Sequence, residues 1–103
     1  MEKRQKVHLK QFKEQGWCDS DTWSLDFAFV KFIYPRLKRF RELTFSHPAY
    51  MTDTEWKKIL DEMIEGFEIA SDEKRYFCAK KEDDEKIQKA FDLFSKYARG
   101  LWW

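Results

Sequence analysis

The stretch Thr52–Phe67, TDTEWKKILDEMIEGF, decides the fold. Thr52 followed three residues later by Glu55 matches the capping box that opens an α-helix, and Met51 and Trp56 are spaced to staple its entry. Trp56, Ile59, Leu60, Met63, Ile64 and Phe67 then recur at three- and four-residue steps, a stripe that a helix gathers on one face. On the wet side, Lys57 with Asp61 and Lys58 with Glu62 read as i,i+4 ion pairs.

Upstream, a second helical segment runs from about Thr22 to Leu43. Ser20 and Asp21 are N-cap candidates, and Asp26 adds negative charge in the first turns, where the helix dipole favours it. Phe27, Val30, Ile33, Leu37 and Phe40 draw its apolar stripe, with Phe29 and Phe32 widening the face. Pro35 lies inside this pattern. It lacks the N–H that would bond the Lys31 carbonyl, and its ring crowds that carbonyl, so the spacing predicts one bent helix or two helices meeting at Tyr34–Pro35.

Pro48 stands in the connection Thr44–Met51 and bars helix continuation. Beyond the deciding stretch, residues 71–84 are highly charged and read as a loop or short helix. Ile87, Ala90, Phe91, Phe94, Tyr97 and Ala98 predict a further helix over about Asp83–Ala98, ended by Gly100 and followed by the apolar tail Leu101-Trp102-Trp103. At the other end, about Glu2–Gln15 is basic, with Val7, Leu9 and Phe12 loosely spaced. It reads equally as a short helix stopped by Gly16, a natural C′ residue, or as a flexible arm.

These segments predict an all-α protein, a small up-and-down bundle of three to four helices with a Pro kink near Pro35. Residues 1–15 form the basic N-terminal arm or short helix, and residues 16–103 a single helical domain. Aromatic residues are 18% of the chain, with ten Phe, five Trp and four Tyr. Each buried ring removes roughly 150–250 Å² from water, so a few supply most of a small core.

Charge excludes some functions. The net charge is +1, with ten Lys/Arg against six Asp/Glu in residues 1–50 and ten against thirteen in residues 51–103. That is a mild dipole, not the strongly basic balance of a dedicated nucleic-acid binder. Cys18 and Cys78 lie in no CxxC or Cys/His cluster, so a reduced intracellular setting is expected. The N-terminus has no apolar core of a signal peptide, and the longest apolar run, Phe27–Val30, is far short of a membrane span. No membrane partner is expected, and the location read from these features is cytosolic.

Three constellations carry the candidate functional residues. Trp17, Cys18, Asp19, Asp21, Trp23 and Asp26 put three carboxylates among two indoles. Asp oxygens suit a hard cation, but the spacing fits no EF-hand loop, and capping of a helix start is preferred. No metal and no cofactor are therefore expected. Arg36, Lys38, Arg39 and Arg41, with Lys31 one turn upstream, make a basic surface. It either touches phosphates or, as preferred, is a solvated face paired with Glu62, Glu65 and Glu68. Trp102 and Trp103 either mark an interface or, as preferred, fold back into the core or a dimer seam. His8 and His47 have no recognisable catalytic partner, and no phosphate loop, HExxH, GxSxG or zinc spacing is present. A catalytic role is not expected.

One resemblance adds to this. Trp23–Asp26 leading into Phe32–Phe40, then Thr52–Trp56 with Leu60–Phe67, and last Phe91–Tyr97 before Gly100-Leu-Trp, resembles a group of small helical bacteriophage proteins of unknown function. The resemblance spans about residues 16–103. It implies a viral origin and expression in the cytoplasm of a bacterial host, and it brings no catalytic residues. The resulting expectation is a non-enzymatic protein that binds a host or phage protein, inhibiting a host nuclease or defence system. Its candidate partner-binding residues are Trp17, Trp23, Arg36, Lys38, Arg39, Arg41, Trp102 and Trp103. The alternatives are a nucleic-acid-binding protein using the basic face, or a structural homo-oligomer.

Overall fold

A computed structural model describes residues 3–102, and among them the chain is all-α, with no strand. Five α-helices follow one another: α1 (Lys3–Gln15), α2 (Leu25–Leu43), α3 (Asp53–Ser71), α4 (Glu73–Phe77) and α5 (Lys81–Tyr97). Short 3-10 turns lie at Asp19–Thr22 and Ala98–Gly100.

Helix α3 is the centre, packed by α2 on one side and α5 on the other. It opens as its sequence dictates, with the Glu55 backbone N–H donating to Thr52 Oγ1 at 3.1 Å. Met51 is half-buried against the same apolar core that contains Trp56. Trp56, Leu60, Met63, Phe67 and Ala70 are almost wholly buried, and Val30 and Leu37 of α2 and Ile87 and Ala90 of α5 close the core. Contacts fix the directions. Trp56 meets Tyr97, while Gly66 meets Lys86 and Ala90, so α3 and α5 run antiparallel. Arg41 reaches Asp61 and Phe29 meets Phe67, so α2 and α3 are antiparallel as well.

Rings knit the three helices together. Phe29 of α2, Phe67 of α3 and Phe91 and Phe94 of α5 form one cluster with centroids 5.0–6.3 Å apart, mostly edge to face. Each such pair adds about 0.5–1.5 kcal/mol beyond the area it buries. Phe29, which the periodicity puts at the edge of its stripe, is therefore half-buried where rings from α3 and α5 meet. Phe27 instead leaves the main core and stacks on Tyr76 and Phe77 of α4.

Several expectations are corrected. Helix α2 begins at Leu25 rather than near Thr22, because Asp21 is engaged elsewhere: its carboxylate accepts the Cys18 N–H at 3.0 Å and seals the preceding 3-10 turn. The helix then runs unbroken through Pro35, so there are not two helices meeting there. The two expected pairs of α3, Lys57 with Asp61 and Lys58 with Glu62, do not form. Lys57 turns back to Asp53 at 3.0 Å, Asp61 binds Arg41 of α2, and Glu62 and Glu65 reach Lys89 and Lys86 of α5 at 3.2 and 2.8 Å. Inter-helix neighbours hold the carboxylates that helical spacing assigned within α3.

The N-terminal stretch is helical, and Gly16 stops it with φ 84°, a conformation only glycine adopts cheaply. Helix α1 meets the rest of the chain chiefly at the Asp19–Thr22 turn, where Gln11 Oε1 accepts the Asp19 N–H at 2.9 Å. It leaves Val7, Leu9 and Phe12 exposed. The molecule is correspondingly long, 53 × 33 × 19 Å, with a radius of gyration of 16.2 Å against about 13 Å for a compact chain of this length.

Candidate functional site

The eight candidate residues do not form one site. Because α2 and α3 run antiparallel, Trp23 lies at one end of the helix packing with α4, and Trp102 at the opposite end beside the Thr44–Thr52 connection. Trp17 is half-exposed near the α1 junction, where its carbonyl accepts the Gln15 side-chain N–H at 3.1 Å. Trp103 lies outside the described residues.

Helix α2 sorts the basic residues by face. At roughly 100° per residue, Leu25, Phe32, Arg36, Arg39 and Leu43 fall within an arc of roughly 60°. All five are exposed. Phe32, 54% exposed, carries the Arg36 guanidinium 3.9 Å above its ring, and Arg36 also donates to the Phe32 carbonyl at 2.8 Å. Arg39 is tied to Glu42 at 2.8 Å. Trp23, 82% exposed, stands just before the first residue of this line. Two of the candidates, Arg36 and Arg39, thus share one face of α2 with three exposed apolar residues, Leu25, Phe32 and Leu43.

Lys38 and Arg41 do not share it. Lys38 lies 5.5 Å over Tyr34 on another face, and Arg41 donates to Asp61 of α3 at 3.1 Å. The expected pairing of the basic surface with α3 is met by Arg41 alone, and through Asp61 rather than Glu62, Glu65 or Glu68.

At the N-terminal end of α2, Trp23, Phe27, Lys31 and Phe77 line a cleft. Phe77 is exposed, and it lies in the charged segment that the sequence reads as a loop or short helix. Asp26 is the hinge of this end. Its carboxylate accepts hydrogen bonds from Ser24 Oγ at 2.7 Å and from the Tyr76 hydroxyl, fifty residues away. The Tyr76 and Ser24 hydroxyls hold the Asp26 carboxyl below its ordinary range. Burial, then the Asp26 carboxylate, push the Tyr76 phenol up to about 12. Asp19, Asp21 and Asp26 do not converge, and among the described residues no group of three or more His, Cys, Asp or Glu is placed to hold a metal ion.

The second aromatic surface is at the far end. Trp102 and Tyr50, 71% and 77% exposed, line a cleft of about 440 Å³ with Tyr97, Lys96, Arg99 and His47. The terminal tail divides. Leu101 packs against the core, whereas Trp102 stays in solvent, so the expected return into the core is not met by Trp102. Tyr50, Lys96 and Arg99 gave no signal in the sequence, because their meeting depends on α3 and α5 being antiparallel.

The fold and these surfaces define a small all-helical protein with large apolar side chains left in solvent along α2 and at both ends of the helix packing. No family model, curated protein or solved structure matches the chain. No helix among the described residues is long and apolar enough to cross a membrane.

Proposed function

We propose that this chain is a non-enzymatic, phage-type protein that binds a protein partner through the outer face of α2. The partner is a host protein of the nuclease or defence class, and the chain acts in the bacterial cytoplasm. In this reading α2, α3 and α5 make an up-and-down bundle bent at Pro35, which presents the strip as a convex ridge.

The observation that carries the reading is the line Leu25, Phe32, Arg36, Arg39 and Leu43, apolar and basic side chains left exposed on a helix whose other side is core, with the exposed Trp23 just before its first turn. Exposing such groups without a partner costs the protein the hydrophobic stabilisation that burial supplies, roughly 1.5–3 kcal/mol for each side chain fully buried. Trp and Arg are also the residue types that dominate interface energetics, and the Arg36 guanidinium already sits over the Phe32 ring. Helix-in-groove recognition uses anchors of this kind on one face of a helix.

The test is affinity capture from bacterial lysate with the wild-type chain beside Phe32→Ala/Arg36→Ala and, as a control, Lys58→Ala on the solvated side of α3. Retention of a discrete protein by the wild type and the control, lost in the double variant, is expected. Equal retention by all three, or none by any, contradicts the reading.

A further inference from the structure

We propose that the cleft at the C-terminal end of α5 is a nucleotide-binding site, which stacks a base on Trp102 or Tyr50 and holds its phosphate with Lys96 and Arg99. This site is separate from the α2 strip and does not depend on it.

The argument begins with charge. The chain is nearly balanced, with 20 Lys/Arg and 19 Asp/Glu, and its clefts mostly reflect that. The cleft beside Arg41 includes Asp53, Asp61, Glu62 and Glu65; that of Arg75 includes Glu82 and Asp83; that of Lys86 and Lys89 includes Glu82 and Glu85; that of Trp23 includes Asp21 and Glu73. The Trp102 cleft has two cations, Lys96 and Arg99, with His47, and among the described residues no carboxylate in its lining. The Arg99 guanidinium makes no hydrogen bond or ion pair among the described residues, and the Lys96 ammonium has only the Tyr97 ring, 5.3 Å away. Five donor N–H groups of Arg99 are thus free for an anion.

The second feature is the rings. Trp102 and Tyr50 are both more than two-thirds exposed on the border of this one cleft, with Tyr97 in its wall. Aromatic faces beside unpaired cations are what single-stranded nucleic-acid sites combine, because every base has a π-face and every unit a phosphate. An acidic peptide would satisfy Lys96 and Arg99 but leave both rings in solvent. A nucleotide satisfies both, and a cleft of about 440 Å³ falls within the usual size of small-ligand sites. The ordering elements are firm: Gly100 packs near Pro48 and Trp56, which fixes the α5 end against the Thr44–Thr52 connection.

Fluorescence anisotropy on the full chain tests this, with a labelled single-stranded oligothymidylate of about ten nucleotides. Thymidine monophosphate, detected by calorimetry, and a polyglutamate peptide are the other two arms. Trp102→Ala is expected to weaken the oligonucleotide about 5- to 100-fold, and Trp102→Phe to restore most of the loss. Lys96→Gln/Arg99→Gln should flatten the logarithmic salt dependence by about 1.4. Arg36→Ala/Arg39→Ala should leave binding unchanged. Binding of the monophosphate with the same Trp102 dependence supports the site with a free nucleotide as occupant; binding of the oligonucleotide alone supports it with a strand. The proposal is overturned if neither binds, if binding survives both the Trp102 and the Lys96/Arg99 substitutions, or if polyglutamate binds as tightly as the oligonucleotide. Trp102 is exposed, so circular dichroism of its variants should match the wild type.

Discussion

Gly66 is the point where α3 and α5 come closest. A Cβ built there would lie 2.3 Å from the Lys86 carbonyl oxygen and 2.5 Å from the Ala90 Cβ, and the first of these is backbone that cannot rotate away. Gly66→Ala should therefore push α5 off α3, although alanine is the better helix former by about 1 kcal/mol. We expect a net loss of about 1–3 kcal/mol in urea unfolding, in the range of overpacked cores. A gain in stability would show that the helices do not approach as described. The Asp26–Tyr76 link offers a second residue-scale check. The Tyr76 phenol ionises higher in the folded chain than the roughly 10 of a free tyrosine, so its contribution is complete below that pH and is lost as pH rises through about 12. The Asp26 carboxyl is depressed, so its contribution is present above about 3.9, the unfolded value, and fades as pH falls through the lower folded one. Alkaline titration of phenolate absorbance should show a component near pH 12 that Tyr76→Phe removes. A Tyr76 component near pH 10 would contradict the link.

Among the elements, α3 was the most legible in the sequence, because its cap, Thr52 with Glu55, and its stripe lie within sixteen consecutive residues and need no other part of the chain. The start of α2 was less so. Ser20, Asp21 and Ser24 are all capping residue types, and the competition was settled by Asp21 bonding the Cys18 N–H, a choice local composition does not reveal. The short α4 was harder still, since its five residues are fixed by an Asp72 cap and by Phe27 packing from forty-five or more positions away. Helix α1 poses the opposite problem. Thirteen residues are marginal for an isolated helix, and with Lys3 and Lys6 in its first turns and no acidic residue there, the dipole is opposed. Its hold on the remainder is the Gln11–Asp19 bond and little apolar burial. Deleting residues 1–15 should thus change the unfolding free energy by less than about 0.5 kcal/mol, as surface changes do, while the helical signal falls by α1's share. A cooperative collapse of the shortened chain would show that α1 belongs to the domain.

At the scale of the whole molecule, sequence periodicity separated inside from outside on α3 and α5 but blurred it on α2. Phe27, Phe29 and Phe32 are chemically equivalent, yet one stacks on α4, one packs half-buried against the core and one stands in solvent. Only the placement of α3 and α5 around α2 distinguishes them. The charge pattern was misread for the same reason, since Asp61, Glu62 and Glu65 pair with neighbours from other helices. What the assembled molecule adds is the exposed line from Leu25 to Leu43, and on it rests the claim that this chain works by binding a protein. The most direct measurement is site-specific photo-crosslinking in bacterial cells, with a benzophenone side chain at position 32, or at position 58 on the solvated side of α3. The account predicts a crosslinked species from position 32, of a mass that is not twice that of the chain, and none from position 58. A crosslink from position 32 only to a second copy, or equal labelling from both positions, would contradict it.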